Sequence, residues 1–271
     1  MTDFSFDKLD ASFKSLKLDI TSTEMAVFAE EQELNNNQMK AIQDVFDYLH
    51  RKKIQTTIDT MLRMSRLPLK NLKTFDNFDF SVLKGRDVEK LESVSSLSAL
   101  YSHRNLAFIG PAGTGKTHLA QAFGYECCKR GFKTYFIKMT ELRDRFDTAR
   151  RSGRESKVLN GLIRYSCLII DEVGHCDFDK ENTRLFFDLI DRRCNSEKNS
   201  SIIFTSNKNP ARWRENFNDE DSLLCALDRI FDDAMVYKLR GKSYRGKRLE
   251  TVTLEIGSHV QTSSSETPPN K

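Results

Sequence analysis

The stretch NLAFIGPAGTGKTHLAQAFG, Asn105 to Gly124, decides the fold. Its centre, GPAGTGKT (Gly110–Thr117), matches G-x-x-x-x-G-K-[ST] without deviation. An apolar run ending at Ile109 leads into it, and a helix pattern opens at Lys116. Glycines let backbone N–H groups close around a phosphate, and the helix N-terminus adds its positive end. This strand–loop–helix context outweighs a plain Gly-rich turn. Gly110, Pro111, Ala112, Gly113, Thr114, Gly115, Lys116, Thr117 and His118 are therefore expected around the phosphates of a bound nucleotide. Lys116 is expected to reach the β- and γ-phosphates, and Thr117 to ligate Mg2+.

Outward from this motif, short apolar runs alternate with amphipathic helices. NLAFIG, KTYFIK, CLIID, SIIFTSN and AMVYKL read as strands, with helices from Lys116, through Glu141–Arg164, from Asp179 and from Asp219. That alternation predicts an α/β fold: a P-loop core with a five-stranded, mostly parallel sheet covered by helices on both faces. In CLIIDE, Asp171 and Glu172 emerge at the C-terminal edge of a strand, where such sheets bind ligands. Asp171 is expected in the Mg2+ shell and Glu172 as the general base that polarises water. An apolar run ending in Asp-Glu means little alone; downstream of a P-loop it reads as the partner acidic motif. SIIFTSNKNP (Ser201–Pro210) ends its strand in Thr205, Ser206 and Asn207. Alone, Asn207 reads as a turn or helix cap; beside the other motifs its amide is placed to contact both a γ-oxygen and the attacking water.

At 271 residues, with 38% hydrophobic and 30% charged residues, the chain has material for a sizeable core. The net charge of +4 is mild but unevenly spread. Acids dominate to Leu34, bases take over from Asn35 to Phe75, and basic clusters recur at Arg143–Lys157 and Lys238–Arg248. Such islands point to a polyanion or to ordinary solvated helix faces, and charge alone does not separate these. The six cysteines form no CxxC pair and have no His at metal spacing. Cys127, Cys128 and Cys167 read as small core residues. No signal peptide is read, and no apolar run approaches the roughly eighteen residues of a membrane span. A cytoplasmic protein without membrane contact is expected.

The organisation expected is an acidic mobile or docking segment (1–34), then a basic helical N-terminal region (35–66). A connector and helix (67–103) lead into the ATPase core (104–245), and a largely disordered tail (246–271) follows, with TVTLEI as one more candidate strand. The connector LPLKNLKTFDNFDFSVLKG is expected to be extended, and DVEKLESVSSLSALY to be helical.

Together GPAGTGKT, CLIIDE and FTSN resemble Walker A, Walker B and sensor 1 of the AAA+ ATPases. The blocks LPLKNLKTFDNFDF, LIIDEVGHCDFDKENTRLFFDLIDRRC, IIFTSNKNPARWRENFND and ALDRIFDDAMVYKLRGKSYR narrow this to the IstB-like proteins. Those are ATP-binding helper subunits of insertion sequences, related to DnaC-type helicase loaders. The resemblance spans roughly Leu67 to Arg245. It implies that Arg229 is an arginine finger for a neighbouring copy, the alternative being a surface arginine paired with Asp232 or Asp233. It implies a sensor 2 arginine at Arg245, with Arg240 and Arg248 as nearby candidates. It further implies DNA contact through TELRDRFDTARRSGRESK. The acidic first 34 residues and the extension after Arg245 depart from the family pattern.

The resemblance therefore implies an ATP hydrolase that forms a homo-oligomer on duplex DNA and regulates or recruits a transposase. A replicative helicase loader would carry the same motifs with a different partner. A small-molecule kinase on the same core would want an arginine-rich lid, and FTSN and Arg229 argue against it. Intact Lys116, Asp171 and Glu172 argue against a binding-only module.

Overall fold

Strands β1 (Asn105–Ile109), β2 (Thr134–Lys138), β3 (Cys167–Asp171), β4 (Ser201–Ser206) and β5 (Ala234–Lys238) form one sheet in the order β2-β3-β4-β1-β5. All its pairings among the described residues are parallel. The structure, a computed structural model, describes residues 5–85, 87–196, 200–241 and 243–244. The three central strands, β3, β4 and β1, are buried at every position. Strands covered on both faces need apolar side chains throughout, which is why these read as continuous runs rather than alternations.

Side chains on either face feed separate cores. Ala107, Ile109, Leu168 and Ile170 pack with Phe146, Phe178, Phe186 and Trp213. That face is covered by α7 (Met139–Arg151), α8 (Glu155–Ile163), α9 (Lys180–Cys194) and α10 (Glu220–Phe231). Leu106, Phe108, Cys167 and Ile169 turn the other way, toward α6 (Lys116–Lys129) and the connector. Cys127 and Cys128 are small buried members of this second core.

The opening residues, expected as a mobile or docking segment, are helical. They form α1 (Phe6–Leu16), which packs on α3 (Asn36–Met64), with α2 (Ser22–Glu31) between them in sequence. The buried apolar residues of α1 are Leu9 and Phe13, one turn apart, so the periodic signal is sparse. Phe13 meets Phe46 edge to face at 4.8 Å, Ser12 Oγ donates to Asp47 Oδ1 at 3.1 Å, and Ser5 N–H donates to Gln43 Oε1 at 2.8 Å. Capping boxes at Thr21/Glu24 and Asn35/Gln38 start α2 and α3.

Two further segments depart from expectation. The continuous helix expected after the connector breaks into α4 (Val88–Glu92), a 3-10 turn and α5 (Ser98–Tyr101). Ser93 and Ser95 hydroxyls donate to the carbonyls of Lys90 and Glu92, competing with the helix ladder, and Leu97 turns left-handed (φ 61°) to bury its side chain. The connector is not simply extended: it contains 3-10 turns at Leu69–Asn71 and Phe80–Val82. TVTLEI and the tail at 246–271 lie outside the described residues.

Docking of α1 is testable. Phe13→Ala removes a buried aromatic worth about 3–5 kcal/mol. Limited proteolysis should then cut within residues 17–35 at least tenfold faster (an order-of-magnitude expectation). The melting of the sheet domain should be unchanged.

Candidate functional site

The P-loop leaves β1 at Gly110 and ends where α6 begins, at Lys116. Gly113 (φ 77°) and Gly115 (φ 94°) adopt left-handed conformations that favour glycine. A Cβ on Gly115 would come within 2.7 Å of the Phe78 ring, and one on Gly113 would run into Ser243. No side chain caps α6, so its first N–H groups keep the anion-accepting character of an open helix N-terminus. Lys116 and Thr114 are buried while Pro111 and Ala112 are exposed; Lys116 donates from Nζ to the Pro111 carbonyl at 2.6 Å, and Thr114 Oγ1 donates to the same oxygen at 2.9 Å.

Strand order explains how the acidic pair meets this loop. Because β4 runs between β1 and β3, its tip stands between Gly110 and Asp171. Asp171 is 2% exposed. Its Oδ1 accepts from Thr117 Oγ1 at 2.8 Å and from Thr205 Oγ1 at 2.6 Å. Burial pushes the Asp171 pKa above its ordinary value, and these two hydrogen bonds oppose that rise. Thr117 and Asp171 thus present adjacent hard oxygen donors of the kind Mg2+ prefers.

Glu172 follows in a left-handed backbone conformation (φ 63°), uncommon for a non-glycine and typical of functional sites. Its N–H donates to Thr205 Oγ1 at 3.0 Å, and its partly exposed carboxylate lies 3.6 Å from Lys138 Nζ. The three polar residues at the end of β4 divide in two. Thr205 and Ser206 are buried against the β3 tip, where Ser206 Oγ donates to Val173 O at 2.7 Å and accepts from Trp213 Nε1 at 3.1 Å. Asn207 is exposed just beyond.

Several contacts escaped the sequence reading. Thr205 joins both acidic residues to β4, and Lys138 faces Glu172 from the end of β2. From the connector, Phe78 lies on Gly115 and meets His118 edge to face at 5.1 Å. The His118 Nε2–H donates to Thr74 O at 2.9 Å, and burial lowers this ring's pKa. After β5, Tyr244 N–H donates to Gly113 O at 2.9 Å. The polar-aromatic composition of the connector was the one local sign that it packs rather than dangles.

Among the described residues, no contact joins Arg229, on α10, to the P-loop. Its Nε lies 3.1 Å from Asp191 Oδ1, so its partner is neither Asp232 nor Asp233. Arg240 is exposed beyond β5, whereas Arg245 and Arg248 lie outside the described residues. A cavity of about 840 Å3 between α7 and α9 lies apart from the P-loop. Its charges are largely paired with one another, as in Arg150–Asp179 at 2.6 Å.

A parallel sheet in which β1 delivers a glycine loop to an uncapped helix, with a buried carboxylate two strands away, defines an α/β protein of the P-loop nucleotide-binding class. Comparison with known proteins narrows it. The family model described as IstB-like ATP binding protein matches residues 11–251, and the chain belongs to that family. A protein of Geobacillus stearothermophilus, named as the ATP-binding protein of insertion sequence IS5376, is 36% identical over 72% of this chain and 76% of its own. Among solved structures, DnaI is similar with a TM-score of 0.53 at 19% identity, over 67% of this chain and 95% of that one. The DnaC helicase loader gives 0.50 at 20%, over 62% and 97%. At those identities the shared fold is all they carry. Among the described residues no helix is long and apolar enough to cross a membrane.

Two substitutions test the Asp171 cluster. Thr205→Val strips an acceptor from Glu172 N–H and a donor from Asp171, and should cost about 1–3 kcal/mol in urea unfolding. Burial holds Asp171 above its ordinary pKa, so carrying its charge in the fold costs stability. Asp171→Asn should therefore unfold at the same or higher urea concentration than wild type at pH 7, while losing nucleotide turnover.

Proposed function

We propose that this protein is a DNA-associated AAA+ ATPase that assembles with ATP on duplex DNA and recruits or regulates a transposase, with hydrolysis dismantling or remodelling the complex. The observation that carries the chemistry is the shared hydrogen bonding of Asp171 to Thr117 and Thr205, with Glu172 beside it. Lys116 and the N–H groups opening α6 would hold the phosphates, and Thr117 and Asp171 would hold Mg2+. That ion neutralises charge on the phosphoryl oxygens. Glu172, fixed through its backbone to Thr205 and partly exposed, is suited to take a proton from the attacking water. Asn207 is suited to orient that water from the tip of β4. Arg229 would act on the nucleotide of a neighbouring copy, consistent with its described side-chain contacts being to Phe187 and Asp191 of α9. A guanidinium supplied in trans makes turnover depend on correct assembly.

The DNA reading draws on family membership and on a groove of about 700 Å3 where Arg145, Arg154 and Lys157 sit with Tyr135 and Tyr165. Binding there should weaken steeply with salt through counterion release. The insertion-sequence context of the relatives makes a transposase the expected partner. A helicase loader would keep the same ATP chemistry and change only the partner; the fold shared with the DnaC loader motivates that second reading.

The test is to size Glu172→Gln protein with ATP, with and without duplex DNA. A large complex that needs both, with turnover reduced about 10²–10⁴-fold, supports the proposal. Normal hydrolysis would remove Glu172 as the base. Lys116→Ala should lose ATP binding. Addition of the transposase or a replicative helicase to the trapped complex separates the two readings by which one co-elutes.

A further inference from the structure

We infer that Asp191 and Phe187 are positioning residues for Arg229, holding its guanidinium so that its two terminal nitrogens stay available for an anion on another copy of this chain. The inference rests on the reading of Arg229 as a group acting in trans, and deepens it.

Phe187, Asp191 and Asn195 follow one another at four-residue spacing along α9 and its C-terminal cap, so they share a face. Arg229 comes to that face from α10. Its Cζ stands 5.1 Å from the Phe187 ring centroid, and its Nε is 3.1 Å from Asp191 Oδ1. The same Oδ1 accepts from Asn195 Nδ2 at 3.0 Å, which fixes the carboxylate. The backbone is also tied, because Cys194 Sγ–H points to Arg229 O at 3.7 Å.

Other surface arginines of this protein show what an ordinary pair looks like. Arg192 grips Asp188 with two donors on two oxygens, Nε at 2.6 Å and Nη2 at 2.7 Å. Arg212 does the same with Glu215, at 2.7 and 3.2 Å. Each of those forks is consumed by its partner. Arg229 instead comes nearest to Asp191 through Nε, at an oxygen already shared with Asn195, and rests one face on a ring. Its Nη1 and Nη2 have no hydrogen-bond partner among the described residues, and the side chain is 42% exposed. A stacked guanidinium with its rotamer fixed and its fork uncommitted loses little entropy when it meets a phosphoryl group. Stacking on Phe187 also keeps the charge without spending a donor.

The experiment compares Asp191→Asn, Phe187→Leu, Arg229→Ala and the double variant Asp191→Asn/Arg229→Ala. ATP turnover is measured on duplex DNA, ATP affinity by direct binding, and folding by thermal melting. Arg229→Ala should lower kcat by about 10³-fold or more. Asp191→Asn, which keeps a side-chain oxygen for Asn195, should lower kcat about 5–20-fold, and Phe187→Leu by a smaller factor, with ATP affinity and melting unchanged. The double variant should be no slower than Arg229→Ala alone, and Asp191→Glu should recover part of the loss. Mixing Asp191→Asn with Glu172→Gln subunits should raise turnover, because the second supplies an intact Arg229 to the first.

Wild-type kcat in Asp191→Asn beside an inactive Arg229→Ala would overturn this positioning role and leave the reading of Arg229 intact. A further loss in the double variant, or weaker ATP binding in Asp191→Asn, would overturn it too by revealing a structural role. Wild-type turnover in Arg229→Ala would overturn the trans reading itself.

Discussion

A carboxylate buried at the C-terminal edge of a parallel sheet needs hydrogen-bond donors, and Asp171 Oδ1 accepts from hydroxyls of two different elements. Thr117 comes from the first turn of α6 and Thr205 from β4. The cost of leaving such a group unpaired in a low dielectric is several-fold larger than the net gain of an ordinary hydrogen bond. The three elements are therefore locked in register around one oxygen atom. With β4 interposed between β1 and β3, the glycine loop and the acidic pair sit on opposite sides of a single polar strand end. The left-handed turn at Glu172 completes the arrangement, because the N–H that turn presents is the one Thr205 accepts.

How much of this could be read from residues alone follows from the range of the interactions. The glycine loop, the five apolar strands and the helix starts at Asp179 and Asp219 are written in local patterns, and the folded chain repeats them. Asp171 and Glu172 were legible because their strand ends in them. Strand order was not, since nothing local says that β4 passes between β1 and β3. That gap hid the role of Thr205: the polar end of β4 was visible, but attention fell on Asn207, whereas the buried hydroxyls hold the architecture. Helix α1 was missed for a related reason. Ser5, Ser12 and Phe13 acquire meaning only against Gln43, Asp47 and Phe46 of a distant helix. The alternative partners weighed for Arg229, Asp232 and Asp233, follow it closely in sequence; tertiary packing gives it Asp191 of α9 instead.

The connector illustrates how an aromatic sequence without clear periodicity becomes structural. Phe78 occupies the space that the missing Cβ of Gly115 leaves, and Thr74 accepts from the ring of His118. Residues 74–78 thereby bear on the phosphate loop from outside while Ser243 and Tyr244 bear on it from the end of β5. The loop is clasped by two segments far apart in sequence. Any adjustment of its glycines is felt on both sides.

Helix α3 gives the molecule mechanical leverage. Its 29 residues make a rod about 43 Å long. The rod is rooted where Ser65 O accepts from Phe136 N–H of β2 at 2.7 Å and where Arg66 pairs with Glu141 of α7 at 3.0 Å. A tilt of 10° at that root would swing the far end by about 7 Å. Helix α1, seated near that far end, would travel with it. A displacement of β2 or α7 too small to disturb the sheet is thus magnified into a movement the width of a side chain or more at the N-terminal helices.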